Sequence, residues 1–321
     1  YDEQDGSRYA VLVRPLGSVG AYVPGGTASL PSSAIMTVVP AKLAGVPRVV
    51  VATPPVPAMG VNPAILFACV LCGVDELYAI GGAQAIAALA YGTPTVSPVD
   101  KIVGPGSVWV TEAKRQVFGT VGIDGLAGPS EVLVVADETS RPTYVAGEML
   151  AQAEHDPYAR VAAVSSDRDV LVNIAAALSN APGTERDAIV ERVFKDRAWL
   201  IHARGEDDVL DVIDRFAPEH LSIQTRDPMH LIPRIRRAGA IFIGPSTPVA
   251  AGDYLAGTNH VLPTAGAARF GSGLRLADFM RTMSLVEYSD ARMHGDAEVL
   301  ASLADFEGLP AHARTARLRQ E

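Results

Sequence analysis

Short runs of β-branched and aliphatic residues alternate along this chain with longer stretches of helical periodicity. Arg48-Val49-Val50-Val51-Ala52 predicts a buried strand, which Thr53-Pro54-Pro55 ends. Asn62-Pro63 opens a helix that closes at Gly73. Residues 77–80 predict a second strand, and Gly81-Gly82 leads into an alanine-rich helix over 83–90. The run 101–103 passes through Gly104-Pro105-Gly106 into a helix over about 108–118. Further strands are predicted at 131–136, 160–164, 199–201, 220–223 and 240–243, with helices around Ala151 and over 170–178. From about Leu274 the pattern loosens into a tail with an amphipathic helix near 297–306. This βα rhythm predicts parallel sheets covered by helices.

Composition narrows the class. The chain has 321 residues, long enough for two domains, and 48% of them are hydrophobic, enough for a large core. The net charge is −9 with no basic stripe, which argues against nucleic acid as a partner. The longest strongly apolar run, 64–74, is too short to span a bilayer, so no membrane is expected. Position 1 is Tyr1 rather than an initiator methionine, which predicts a missing N-terminal segment. The only cysteines, Cys69 and Cys72, are spaced C-x-x-C, the spacing of redox and zinc pairs. Their neighbours are apolar, and no further ligands lie nearby, so they read as core thiols. The absence of a disulfide framework agrees with a cytoplasmic location.

Polar groups able to bind a metal or move protons recur in four short clusters. The first is Gln152-Ala153-Glu154-His155, where a spacing of three puts Gln152 and His155 on one side of a helix. Pro218-Glu219-His220 is second, and Gly252-Asp253-Tyr254 with Asn259-His260 third. Glu307 to His312 is the fourth. Each has an ordinary explanation. Single histidines such as His155, His260 and His312 are more often structural than ligating. Glutamine is an uncommon zinc ligand, and Asp253 fits a turn as well as a metal. Glu219-His220 is the strongest acid/base pair, because both side chains can be tuned toward neutrality. Neighbouring strand residues face opposite ways, so the two serve one site only at a strand's start. A surface glutamate beside a structural histidine explains them equally well. No G-x-G-x-x-G fingerprint occurs. Glycine turns at Pro24-Gly25-Gly26, Gly81-Gly82 and Gly104-Pro105-Gly106 would admit a ligand to the backbone, or simply form tight turns.

Taken in order, these residues resemble the histidinol dehydrogenase family over nearly the whole chain. The likeness runs through Tyr22 to Gly26, Gly81 to Ala85, Val99 to Gly106, Ala127-Gly128-Pro129-Ser130-Glu131 and Gln152 to His155. It continues through Ala217 to Leu221, Gly257 to Thr264 and Glu307 to His312. The resemblance implies zinc- and NAD-dependent oxidation of L-histidinol to L-histidine through L-histidinaldehyde, using two NAD+, in the cytoplasm. It implies zinc held by Gln152, His155, Asp253 and His312. Glu219 and His220 would be catalytic, and Tyr22, Gln84 and Ser107 would contact the cofactor. Substrate contacts would fall on Ser130, His260 and Glu307, with His220 and the zinc ligands. Ser107 departs from the asparagine usual there, and a serine has only a hydroxyl to offer.

The implied architecture is two Rossmann-like α/β/α units of the aldehyde-dehydrogenase-like kind, with a C-terminal dimer-crossing tail. Residues 1–21 would be the remnant of an N-terminal segment, 22–131 an NAD-binding domain, 132–274 the catalytic domain and 275–321 the tail. The tail would bring Glu307 and His312 to the partner's site in a homodimer. Family members carry roughly a hundred more residues at the N-terminus, the size of a small domain. Two rival readings remain. One is a same-family dehydrogenase of another alcohol, such as a sulfonated diol. The other is an inactive truncated chain that only binds metal or nucleotide.

Overall fold

Each strand run predicted between residues 48 and 243 forms in the computed structural model, which describes residues 5–25 and 30–320. Tyr1 and Gly26, singled out above, lie outside the described residues. The chain divides into two compact units, one from Leu16 to Phe279 and the other made of the residues before and after it.

In the smaller unit, Arg8–Pro15 (β1) pairs antiparallel with a strand from the far end of the chain. The larger unit begins with Ser18–Tyr22 (β2), Pro31–Leu43 (α1), Arg48–Ala52 (β3), Pro63–Leu71 (α2) and Glu76–Tyr78 (β4). Gly82–Tyr91 (α3), Lys101–Val103 (β5), Val108–Val117 (α4) and Gly122–Ile123 (β6) complete a first βα layer. Its five strands are parallel in the order β4-β3-β2-β5-β6. The chain turns back between β2 and β5, so the loops that follow those two strands part and leave a crevice at the carboxyl edge.

A second layer repeats the plan. It comprises Glu131–Ala136 (β7), Pro142–Ala153 (α5), Arg160–Ser165 (β8), Arg168–Ser179 (α6), Asp187–Asp196 (α7) and Ala198–His202 (β9). Glu206–Phe216 (α8), His220–Gln224 (β10), Pro228–Leu231 (α9), Ala240–Ile243 (β11) and Val249–Tyr254 (α10) follow. The parallel order is β11-β10-β7-β8-β9. All six residues of β7 are buried. Val132 and Val134 pack with Val145, Met149 and Ile174 of α5 and α6, whereas Leu133 and Val135 pack with Val209 and Ile213 of α8. The alternation of side chains across a strand thus feeds two separate cores, which is why β7 reads as an unbroken apolar run.

The smaller unit closes with Met280–Glu287 (β12), the partner of β1, then Asp290–Phe306 (α11) and Pro310–Arg317 (α12). Its two helices share a core of Ala297, Ala301, Ala304, Ala313 and Ala316. Alanines on both sides let the helix backbones approach closely. Among the described residues no helix is long and apolar enough to cross a membrane. Cys69 is buried near the end of α2 and Cys72 half-buried, both as free thiols. Burial pushes the Cys69 thiol up to about 11 and raises Cys72 as well. Such thiols are neither reactive nor ready metal ligands near neutrality.

Candidate active site

The second sheet gathers its polar side chains at the amino edge. Glu131, Arg160 and His220 are the first residues of β7, β8 and β10, and Glu219 immediately precedes β10. Helix α5 runs back antiparallel to the strands, so its last turn arrives at the same edge. Its buried stripe, Val145, Met149 and Gln152, therefore ends in a polar residue at the site rather than in the core. His155 lies beyond the helix end, not on it. The cap is Glu154, and the His155 N–H bonds back to Gln152 O at 3.3 Å. Gln152 is buried and His155 exposed, so the spacing of three does not put them on one helix face.

Glu131 holds both members of the Glu219-His220 pair through its backbone. Its N–H donates to Glu219 Oε2 at 2.8 Å, and its carbonyl oxygen lies 3.1 Å from His220 Nδ1. Gln152 Oε1 lies 3.0 Å from the same nitrogen. Two oxygen acceptors fix the proton of the neutral imidazole on Nδ1, leaving Nε2 with a lone pair. That Nε2 is buried and has no partner. Burial lowers the His220 pKa to about 4, so the ring is neutral near neutral pH. Burial also pushes the Glu219 carboxyl well above the usual carboxylate range. The charges of Glu131 and Asp253 add to that rise, while the Glu131 N–H and the Ser130 hydroxyl oppose it. Glu219 Oε2 is 3.7 Å from His220 Nδ1.

Glu131 has a second task that the sequence did not signal. Its Oε1 accepts from Arg160 Nη1 at 2.8 Å and from the Ala265 N–H at 3.2 Å. The Arg160 guanidinium covers the Phe216 ring, 4.6 Å from its centre. Burial raises the Glu131 carboxyl, and Arg160 opposes that rise. Only the motif Ala127 to Glu131 pointed to this residue, and nothing in the sequence pointed to Arg160.

Asp253 is in the short helix α10, not in a turn. His155, His260 and Asp253 are near enough for their charges to act on His220. His260 is itself lowered by burial, and its Nε2 has no partner. Gln152 Nε2 is likewise buried and unpaired. Three orphaned nitrogens at one edge mark a place built for a polar ligand. Among the described residues no three of His, Cys, Asp and Glu converge to hold a metal. Of the zinc set expected from sequence, Gln152, His155 and Asp253 belong to the larger unit. Glu307, the cap of α11, and His312, in α12, belong to the smaller unit and are exposed there.

The three expected cofactor contacts cluster at the carboxyl edge of the first sheet. Tyr22 ends β2, Gln84 is in the first turn of α3, and Ser107 precedes α4. The Tyr22 hydroxyl accepts from the Gly82 N–H at 3.1 Å, whereas Gln84 and Ser107 are exposed. Two of the glycines there serve packing. A Cβ on Gly81 would meet Pro54 Cγ at 2.5 Å, and one on Gly104, at φ +107°, would collide with Tyr22 O. The segment between β6 and β7 is tied to both layers: Thr111 Oγ1 of α4 donates to Ala127 O at 2.7 Å, and the Gly128 N–H donates to the Thr264 hydroxyl.

Two parallel α/β layers are an architecture shared with aldehyde dehydrogenases of known structure. A propionaldehyde dehydrogenase from Rhodopseudomonas palustris, solved with bound propionyl-CoA, shares the fold at TM-score 0.55 and 12% identity, over 86% of this chain and 74% of that one. A histidinol dehydrogenase from Elizabethkingia anophelis superposes at TM-score 0.94 with 34% identity, over 99% of this chain and 74% of that one. A histidinol dehydrogenase of Heliobacterium mobile is 49% identical over 99% of this chain and 75% of its own length. The histidinol dehydrogenase family model matches residues 1–320, and the chain belongs to that family of oxidoreductases.

Proposed function

We propose that the chain oxidises L-histidinol to L-histidine through L-histidinaldehyde, consuming two NAD+. The observation that carries this reading is the arrangement of His220, with Nδ1 held by two oxygens and a buried, unpartnered Nε2. Such a nitrogen is set to take the hydroxyl proton as the alcohol carbon loses hydride. Glu219, fixed by the Glu131 N–H, takes a proton from the water that adds to the aldehyde. Hydride loss from the resulting hydrate gives the carboxylate. Burial of both groups excludes bulk water from the intermediate aldehyde.

His155 and Asp253 are donor types that suit zinc, Gln152 would add an amide oxygen, and His312 of a second copy would be the fourth ligand. Bound zinc would orient the imidazole and amine of the amino alcohol, and NAD+ would accept hydride at each oxidation. We assign the cofactor to residues 22–131, at the carboxyl edge of the first sheet near Tyr22, Gln84 and Ser107, and catalysis to 132–274. Ser130, His260 and Glu307 complete the substrate contacts. Glu307 and His312, exposed on the smaller unit, would serve a second copy, making the working form a homodimer. The test is to supply zinc, NAD+ and L-histidinol to the purified chain and to quantify NADH and histidine. Two NADH per histidine support the reading, and one NADH with accumulated aldehyde counts against the assigned role of Glu219.

A further inference from the structure

We propose that Lys114 and Asp124 form an internal clamp that presets the Gly104-Pro105-Gly106 loop for the dinucleotide. The inference rests on the reading that NAD+ binds at the carboxyl edge of the first sheet. Gly104 directly follows β5, one of the two strands flanking the crevice. Both of its backbone polar groups are taken by this pair. Its N–H donates to Asp124 Oδ2 at 2.7 Å, and its carbonyl accepts from Lys114 Nζ at 3.0 Å. Lys114 Nζ also bonds Asp124 Oδ1, which in turn accepts from the Gly125 N–H at 2.8 Å. The two side chains are 3% and 8% exposed, so this is an ion pair held almost wholly out of water.

A buried ion pair is a poor device for stability alone, since well-packed apolar residues of similar volume usually do as well. What apolar residues cannot do is hold an N–H and a C=O of the same glycine. The clamp also reaches the other wall of the crevice. The Gly104 backbone packs against Tyr22 O so closely that a Cβ has no room, and the Tyr22 hydroxyl holds the Gly82 N–H at the start of α3. Lys114 is on α4, whose amino end follows the loop, and Ser107 places no side-chain bond on that helix's free N–H groups. One pair of charges therefore sets the loop after β5 relative to the starts of both α3 and α4. Lys114 and Asp124 act as positioning residues that need not touch the cofactor, and the gain is that the loop is ordered before the ligand arrives.

Lys114→Met alone would leave Asp124 buried and unpaired and is liable to unfold the chain. The decisive variant is Lys114→Met/Asp124→Leu, which removes both charges together. Titration calorimetry with NAD+, the KM for each substrate, the melting temperature and amide exchange at Gly104 are compared with the unaltered chain. The expected result is an NAD+ dissociation constant raised about tenfold or more, the scale of losing one or two buried hydrogen bonds. The KM for L-histidinol should barely move, the melting temperature should fall modestly because the buried Gly104 N–H and carbonyl lose their partners, and the Gly104 amide should exchange faster without cofactor. Unchanged NAD+ affinity, or parallel loss of affinity for both substrates, would overturn the clamp. If the unaltered chain itself fails to bind NAD+, the assignment of the cofactor edge falls and takes the clamp with it. Normal binding by both proteins removes the clamp alone.

Discussion

The Glu131 N–H donates to Glu219 Oε2 at 2.8 Å, so the first residue of one central strand holds the carboxylate that precedes its neighbour. A carboxylate fixed in this way, and not bonded to the substrate alcohol's own base, has a task separable from that of His220. Glu219→Gln keeps an oxygen for the Glu131 N–H but cannot take a proton. Aldehyde oxidation should fall about 10²- to 10⁴-fold, the usual worth of a general base, with a smaller loss in alcohol oxidation. Single-turnover measurements starting from each substrate check this, and equal losses would remove the division of labour.

The same substitution has a stability signature. Burial raises the folded-state pKa of Glu219 above its unfolded value. Its protonated form therefore stabilises the fold at low pH, and that contribution is lost as pH rises through the folded pKa. Glutamine never ionises. The melting temperature of Glu219→Gln should exceed that of the unaltered chain at pH values above the normal carboxylate range, with the gap closing on acidification. A variant that instead melts below the unaltered chain at those pH values, with the deficit closing on acidification, would show that Glu219 is held as a stabilised anion.

Arg160 and Glu131 should be strongly interdependent. Arg160→Met leaves the Glu131 carboxylate with only the Ala265 N–H, at a cost of about 1.5–3 kcal/mol, typical of a hydrogen bond to a charged group. Glu131→Gln in the same chain should recover most of that loss. Urea unfolding of the four members of the cycle measures the coupling, and additive losses would mean that the pair does not act as a unit.

Asp253→Ala should lower bound zinc measured by elemental analysis after dialysis, while the fold is retained by circular dichroism. Undiminished metal content would take Asp253 out of the ligand set. A chelator should silence the unaltered chain, with activity returning on adding zinc back.

The layered fold was legible because its buried strands are continuous aliphatic runs, as in Arg48–Ala52 and Glu131–Ala136. The antiparallel ribbon was not, because Arg8–Pro15 finds its partner at Met280–Glu287 and nothing local marks such a distant pairing. Helix α8 also escaped. Its residues Val209, Leu210, Ile213 and Phe216 keep helical spacing behind three acidic residues that open the helix, a pattern the reading of the sequence passed over. In the site, short motifs exposed Gln152, Glu219 and His220. The group that orients two of them is the main chain of Glu131, and a backbone N–H or carbonyl is the same in every sequence. Arg160 was hidden for a similar reason, because its meaning comes from the start of a neighbouring strand.

The Glu219-His220 pair hangs on the beginnings of β7 and β10, whereas open α/β sheets ordinarily do their chemistry where strands finish. The opposite rim of the second sheet, with the turns at Ser166 and Arg226, carries none of the proposed catalytic groups. Altered turn lengths or grafted peptides there that spare the Arg226 bonds to Asp137 and Glu138 are expected to leave the Glu219-His220 arrangement on the far side intact.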